Sequence, residues 1–120
     1  MIKMVTLLKR RPGMSMDEFI DYYESTHRLI GESVIKPHAV YYARRYLDPI
    51  PNVLTGESEE PDHDVLMEIW FPDQAAFDAA MAAITDPEHR KIIEADEVKL
   101  FDRPKMRSFI VREFESDLNT

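Results

Sequence analysis

At 120 residues, with 44% hydrophobic and 32% charged, the chain is one domain's length and can bury a core without staples. The absence of cysteine excludes thiol catalysis, disulfides and zinc–thiolate sites, and three glycines are too few for phosphate-cradling or dinucleotide loops. A net charge of −8 has the wrong sign for a nucleic-acid partner, which needs basic surface to replace counterions.

Ile2 to Lys9 is apolar and free of helix breakers, so it reads as a first strand. Arg11-Pro-Gly-Met-Ser15 is a turn. Ser15 and Glu18 form a capping box that opens an amphipathic helix, read as running through to about Ile30. The helical period puts Phe19, Tyr23, Thr26 and Ile30 on one stripe, with His27 at its border. Ala39 to Leu47 is tyrosine-rich and reads as a long second strand, broken by Asp48-Pro-Ile-Pro. Residues 52–64 read as an acidic loop, either a lid or a plain insertion.

Val65 to Phe71 is the third strand, ended by Pro72. Asp73 caps a helix whose apolar stripe is Phe77, Ala80, Met81 and Ile84. Asp86-Pro87 starts a further helical segment, continued by a short helix or turn over Ala95 to Phe101. Lys105 to Phe114 is the fourth strand, and 115–120 is a polar tail beyond a single domain over 1–114.

The order β-α-β-β-α-β predicts an α+β ferredoxin-like fold, a four-stranded antiparallel sheet with helices on one face. The strands carry apolar residues on both faces: Val5 and Leu7 accompany Ile2, Met4 and Leu8, and Leu66 and Trp70 accompany Val65, Met67 and Ile69. The uncovered face therefore predicts a homodimer, sheet against sheet, as a dimeric α+β barrel.

The chemistry-bearing residues follow from these placements. His27 is the candidate group to remove or donate a proton. Tyr23 and Tyr46 are candidate hydroxyls for polarising a carbonyl or phenol oxygen. His89, at a helix start that disfavours imidazolium, is a second base candidate. Phe19 and Trp70 are read as apolar walls for a flat or hydrophobic ligand, and Arg44 as a substrate-binding cation. Glu68, central in a strand, needs a partner, and Arg44 or Arg112 is expected to supply it. Asp96 is read as a structural cap. His38, His63 and His89 are scattered, so neither a metal site nor a cofactor is expected.

Several of these segments resemble the EthD-domain family. They are Leu8-Lys-Arg-Arg-Pro-Gly-Met-Ser15, Glu18-Phe19, Tyr22-Tyr23 and Thr26-His27, then Glu68-Ile-Trp-Phe71 and Asp96-Glu97 before Phe101. The wider group is the dimeric α+β barrel superfamily, and Asp86-Pro-Glu-His89 resembles a segment of its polyketide cyclases. The resemblance implies the fold and the dimer. It leaves open several activities: lactone isomerase, cyclase, dehydratase, cofactor-free monooxygenase, or accessory protein of ether degradation. Residues and resemblance together lead to the expectation of a cofactor-independent lyase, isomerase or cyclase. Its ligand would be a hydrophobic or aromatic small molecule. The alternatives are a non-catalytic binding or accessory protein of an oxygenase system, and a cofactor-free monooxygenase. The short apolar run at the start of the chain does not read as a signal peptide, and no run approaches membrane-spanning length, so a cytoplasmic location is expected.

Overall fold

The computed structural model describes residues 1–119; the last residue of the polar tail, Thr120, lies outside them. Four antiparallel strands, β1 (Ile2–Leu8), β2 (Tyr41–Tyr46), β3 (Val65–Phe71) and β4 (Arg107–Ile110), form one sheet in the order β2-β3-β1-β4. The helices α1 (Met16–Tyr22), α2 (Arg28–Ile35), α3 (Gln74–Thr85) and α4 (Pro87–Glu97) form the second layer. This is the ferredoxin-like α+β arrangement expected from the element order.

Local chemistry sets the boundaries. Gly13 takes φ 83° in the turn after β1, a conformation open to glycine at little cost. The Ser15 hydroxyl accepts from the Glu18 amide, and the Glu18 carboxylate accepts from the Ser15 amide, so both halves of the capping box form. Asp73 and Asp86 cap α3 and α4 through the amides of Ala76 and Glu88.

Three boundaries differ from the sequence expectation. The first helix is not one α-helix ending near Ile30. It contains a π-turn at Tyr23–His27 and continues to Ile35. β2 and β4 are shorter than the apolar runs that announced them, because each pairs with only one neighbour at the sheet edge.

The register assigns the two faces. Met4, Thr6 and Leu8 stand opposite Ile69, Met67 and Val65, and these residues face the helices. Lys3, Val5 and Leu7 stand opposite Trp70, Glu68 and Leu66 on the other face. That open face carries a mixed cluster. Trp70 stacks on Tyr41 at 4.3 Å and lies under the Lys3 ammonium at 4.1 Å. Glu68 accepts from Trp70 Nε1 and from Arg45 at 3.2 Å. Glu68 is thus paired, but by Arg45 rather than by Arg44 or Arg112, because Arg44 points to the helical face.

The core divides into two clusters. One gathers Leu8, Phe19, Tyr23, Val65, Leu100 and Phe101; the other gathers Ile35, Ile69, Phe71 and Ala80. A small domain ordinarily has one continuous core. Here a cavity is lined by residues of both, and Met67 packs against each. The 52–64 loop is pinned where it returns to the sheet. Lys9 Nζ donates to Glu60 and to the Pro61 carbonyl, both at 2.9 Å, and Asp64 accepts from the Arg10 amide. No residue of this loop lines the cavity.

Candidate active site

The cavity encloses about 280 Å³ between the sheet and the helices. That is near the lower end of the roughly 300–1,000 Å³ range for small-molecule sites. Its walls are mainly apolar: Met4, Leu8, Val34, Ile35, Met67, Ile69, Met81, Ile84, Ile93, Phe101 and Met106 contribute. Polar groups reach it from His27, Tyr23, Tyr42, Glu97, Thr6 and Ser108. Among the described residues, no lysine or arginine lines it.

The π-turn puts His27 in this wall. In α geometry, four residues overshoot one full turn by roughly 40°, so Phe19, Tyr23 and His27 would drift around the helix. The wider π-turn over Tyr23–His27 takes up that excess. Phe19, Tyr23 and His27 consequently all face inward and are buried. The imidazole sits edge-to-face against Tyr23 and Phe101, with centroids 5.4 and 5.2 Å away.

Asp96 fixes the ring further. His27 Nδ1 lies 2.8 Å from Asp96 Oδ2, and Tyr22 donates its hydroxyl to Asp96 Oδ1 at 2.5 Å. An ionised carboxylate only accepts, so it favours the tautomer with hydrogen on Nδ1. Nε2 then carries the lone pair, and among the described residues it has no partner. Asp96, read from the sequence as a cap, is instead 6% exposed and aligns an imidazole. The same bond, with burial next, pushes the Tyr22 phenol up to about 12, so Tyr22 remains a donor at neutral pH.

Tyr23 donates to the Met67 sulfur at 3.4 Å. A thioether is a weak acceptor, readily exchanged for a carbonyl oxygen. Burial first, then the hydrogen-bonded Tyr42 hydroxyl, holds Tyr23 well above the ordinary phenol range. Burial likewise raises Tyr42.

The remaining sequence candidates lie elsewhere. Phe19 is fully buried behind Tyr23, in contact with Tyr46 and Phe101, and does not reach the cavity. Tyr46 packs on the same cluster and donates to Glu24 at 2.5 Å, so its hydroxyl is already committed. Arg44 clamps Glu24 with two bonds of 2.6 and 2.8 Å and lies over the Tyr42 ring, so it supports the wall from outside. That clamp holds the Glu24 carboxyl below its usual range. Trp70 is on the opposite face of the sheet, because strand alternation separates it from Ile69 and Phe71. His89 is exposed, with Nδ1 2.9 Å from the Ala83 carbonyl, and does not line the cavity. Sequence reasoning missed Tyr42 and Glu97 as wall residues. The alternation Tyr42, Arg44, Tyr46 along β2 was the available signal for the first, and the helical step from Ile93 to Glu97 for the second.

A ferredoxin-like sheet, a partly open apolar pocket and an aspartate-bound imidazole define a small α+β protein with a candidate site between sheet and helices. The EthD domain profile matches residues 11–104, and the chain belongs to the EthD domain family. No curated protein matches the sequence significantly. An ethyl tert-butyl ether D (EthD) family protein from Bacillus halodurans superposes with a TM-score of 0.62 at 17% identity, covering 95% of this chain and all of the other. HapK from Hahella chejuensis gives a TM-score of 0.60 at 13% identity, covering 98% and 96%. A dabb family protein with a ferredoxin-like fold from Mesorhizobium loti gives 0.53 at 12% identity, covering 95% and 97%. At these identities the likeness is one of fold.

Proposed function

We propose that the protein is a cofactor-independent enzyme of the lyase, isomerase or cyclase type. His27 Nε2 removes a proton from an uncharged hydrophobic or aromatic small molecule held in the cavity. The carrying observation is the Asp96–His27 pair, whose free nitrogen belongs to a residue of the apolar chamber. Burial among carbon atoms strengthens the electrostatic contacts to a developing enolate or phenolate. The Tyr23 and Tyr42 hydroxyls supply donors to it. A wall without lysine or arginine offers a carboxylate substrate no counter-charge.

The test uses 2-tetralone, a flat ketone with acidic α-hydrogens, in deuterated buffer followed by NMR. Wild-type protein is expected to accelerate α-deuteration above the buffer rate. His27→Gln is expected to lose about 10²–10⁴-fold of that acceleration. Binding of 2-tetralone without any acceleration would favour the non-catalytic binding protein instead. Oxygen uptake with 1-naphthol would favour a monooxygenase.

We also propose that the working unit is a homodimer covered at the open sheet face. Val5, Leu7 and Leu66 lie on that face, and Phe109, 49% exposed, pairs with Val5 there. Light scattering at micromolar concentration is expected to give about twice the 14.1 kDa chain mass. A stable particle of single-chain mass would remove the dimer.

A further inference from the structure

Glu97 stands apart from the other carboxylates at this end of the molecule. Asp96 accepts from His27 and Tyr22. Glu94 accepts from Arg90 at 2.9 Å and lies 3.5 Å from Arg103. The carboxylate of Glu97, one helical turn beyond Ile93 and on the same cavity wall, makes no hydrogen bond or ion pair to any described residue. Partial burial without a protein partner disfavours the charged carboxyl relative to an exposed one, and no packing or ion-pair role is evident for it. It shares the cavity with His27 Nε2, which is equally without a protein partner.

We propose that Glu97 is the second proton-transfer group of the cavity, delivering a proton from its neutral carboxyl to one carbon of an uncharged unsaturated ketone while His27 removes a proton from another. The inference rests on the proton-transfer function above and adds the reaction class, a 1,3-hydrogen shift. In a β,γ-unsaturated ketone, the C–H bond between the carbonyl and the alkene breaks. Its proton goes to His27 Nε2, and its electron pair enters the conjugated dienolate. The negative oxygen is held by the tyrosine hydroxyls. A new C–H bond forms at the far alkene carbon with the Glu97 proton. The proton on His27 then returns to the Glu97 carboxylate, so substrate and product are isomers and no co-reactant is consumed.

The charges around Glu97 are consistent with this role. Burial raises its carboxyl above the ordinary range and Glu94 adds to the rise, while Arg103 and His27 oppose it. A raised folded-state pKa favours the protonated form in the native protein. Its stabilising effect is therefore present below the unfolded value, near 4.5, and is lost as pH rises through the folded value. The group therefore accepts a proton more readily than an exposed glutamate.

The probe is cyclohex-3-en-1-one in deuterated buffer. Deuterium at C2 reports proton removal, and formation of cyclohex-2-en-1-one reports delivery at the far carbon. Glu97→Gln and Glu97→Leu are both made, and thermal unfolding is followed for each. Isomerisation is expected to fall at least tenfold more than C2 exchange in both variants. Glu97→Leu is expected to unfold at a higher temperature than wild type, as a merely structural carboxylate would not. Equal losses of exchange and isomerisation, or isomerisation at the wild-type rate in either variant, would overturn the proposal while leaving His27 as the base. No C2 exchange by wild type would remove the proton-transfer function, and this inference with it.

Discussion

Asp96→Asn is expected to cut the His27-dependent α-deuteration of 2-tetralone by on the order of 10³–10⁴-fold, with binding of the ketone changed only a few-fold. The carboxylate receives two donors, Tyr22 Oη and His27 Nδ1. An asparagine side chain offers one acceptor oxygen and one NH₂ group. If the NH₂ group faces His27, Nδ1 must become the acceptor, the hydrogen moves to Nε2, and the base loses its lone pair. If it faces Tyr22, the phenol has lost its acceptor. Either arrangement leaves a buried donor misdirected, worth about 1–3 kcal/mol of stability. For a domain of this length that lowers Tm by roughly 3–5 °C per kcal/mol. A second readout follows from the Tyr22 phenol, pushed up to about 12 chiefly by Asp96. Because that folded-state pKa lies above the unfolded value, wild-type stability is lost as pH rises from about 10 through 12. In Asp96→Asn this alkaline loss is expected to shrink, and the phenol to ionise at lower pH by ultraviolet titration. Wild-type exchange in this variant would mean that Asp96 serves packing alone.

Phe19→Ala is expected to be strongly destabilising. The ring is fully buried and meets Tyr23, Phe101 and Tyr46 edge-on at centroid distances of 5.9, 5.9 and 6.1 Å. Removing it leaves a void among rings that cannot collapse into it, at about 3–5 kcal/mol. The corresponding fall in Tm is roughly 10–20 °C. Set against a total stability of about 5–15 kcal/mol, much of the margin is gone. Chemical denaturation at fixed pH measures the loss. A cost below about 1 kcal/mol, with loss of ketone binding, would instead give Phe19 the ligand-facing role its sequence position invites.

The contrast between Phe19 and His27 shows what the sequence carried. Periodicity identified the inward stripe and the element order, since hydrophobic spacing, the Ser15–Glu18 box and the proline breaks are all local signals. It misplaced His27 at the border of the stripe because a straight 3.6-residue period was assumed, and no residue in Tyr-Glu-Ser-Thr-His announces a π-turn. Periodicity also cannot say which inward residues meet solid core and which meet empty space. Phe19 and Tyr23 share a face, yet only Tyr23 lines the cavity. Asp96 and Glu97 sit 69 and 70 positions after His27, so their approach to it depends on how α4 packs over the sheet. Trp70 was misassigned for a simpler reason: β3 is apolar on both faces, and alternation alone did not tell the chamber side from the open one.

The surplus residue in the π-turn also separates two properties that a regular helix would tie together. Upstream, Ser15 and Phe19 anchor the entry to the helix; downstream, α2 sets the far end of the chamber. Loss of one residue between them would re-phase everything after it by about 100° while leaving the entry untouched. The bearing of the imidazole is therefore adjustable by insertion or deletion in that turn, with the capping box and Phe19 left in place.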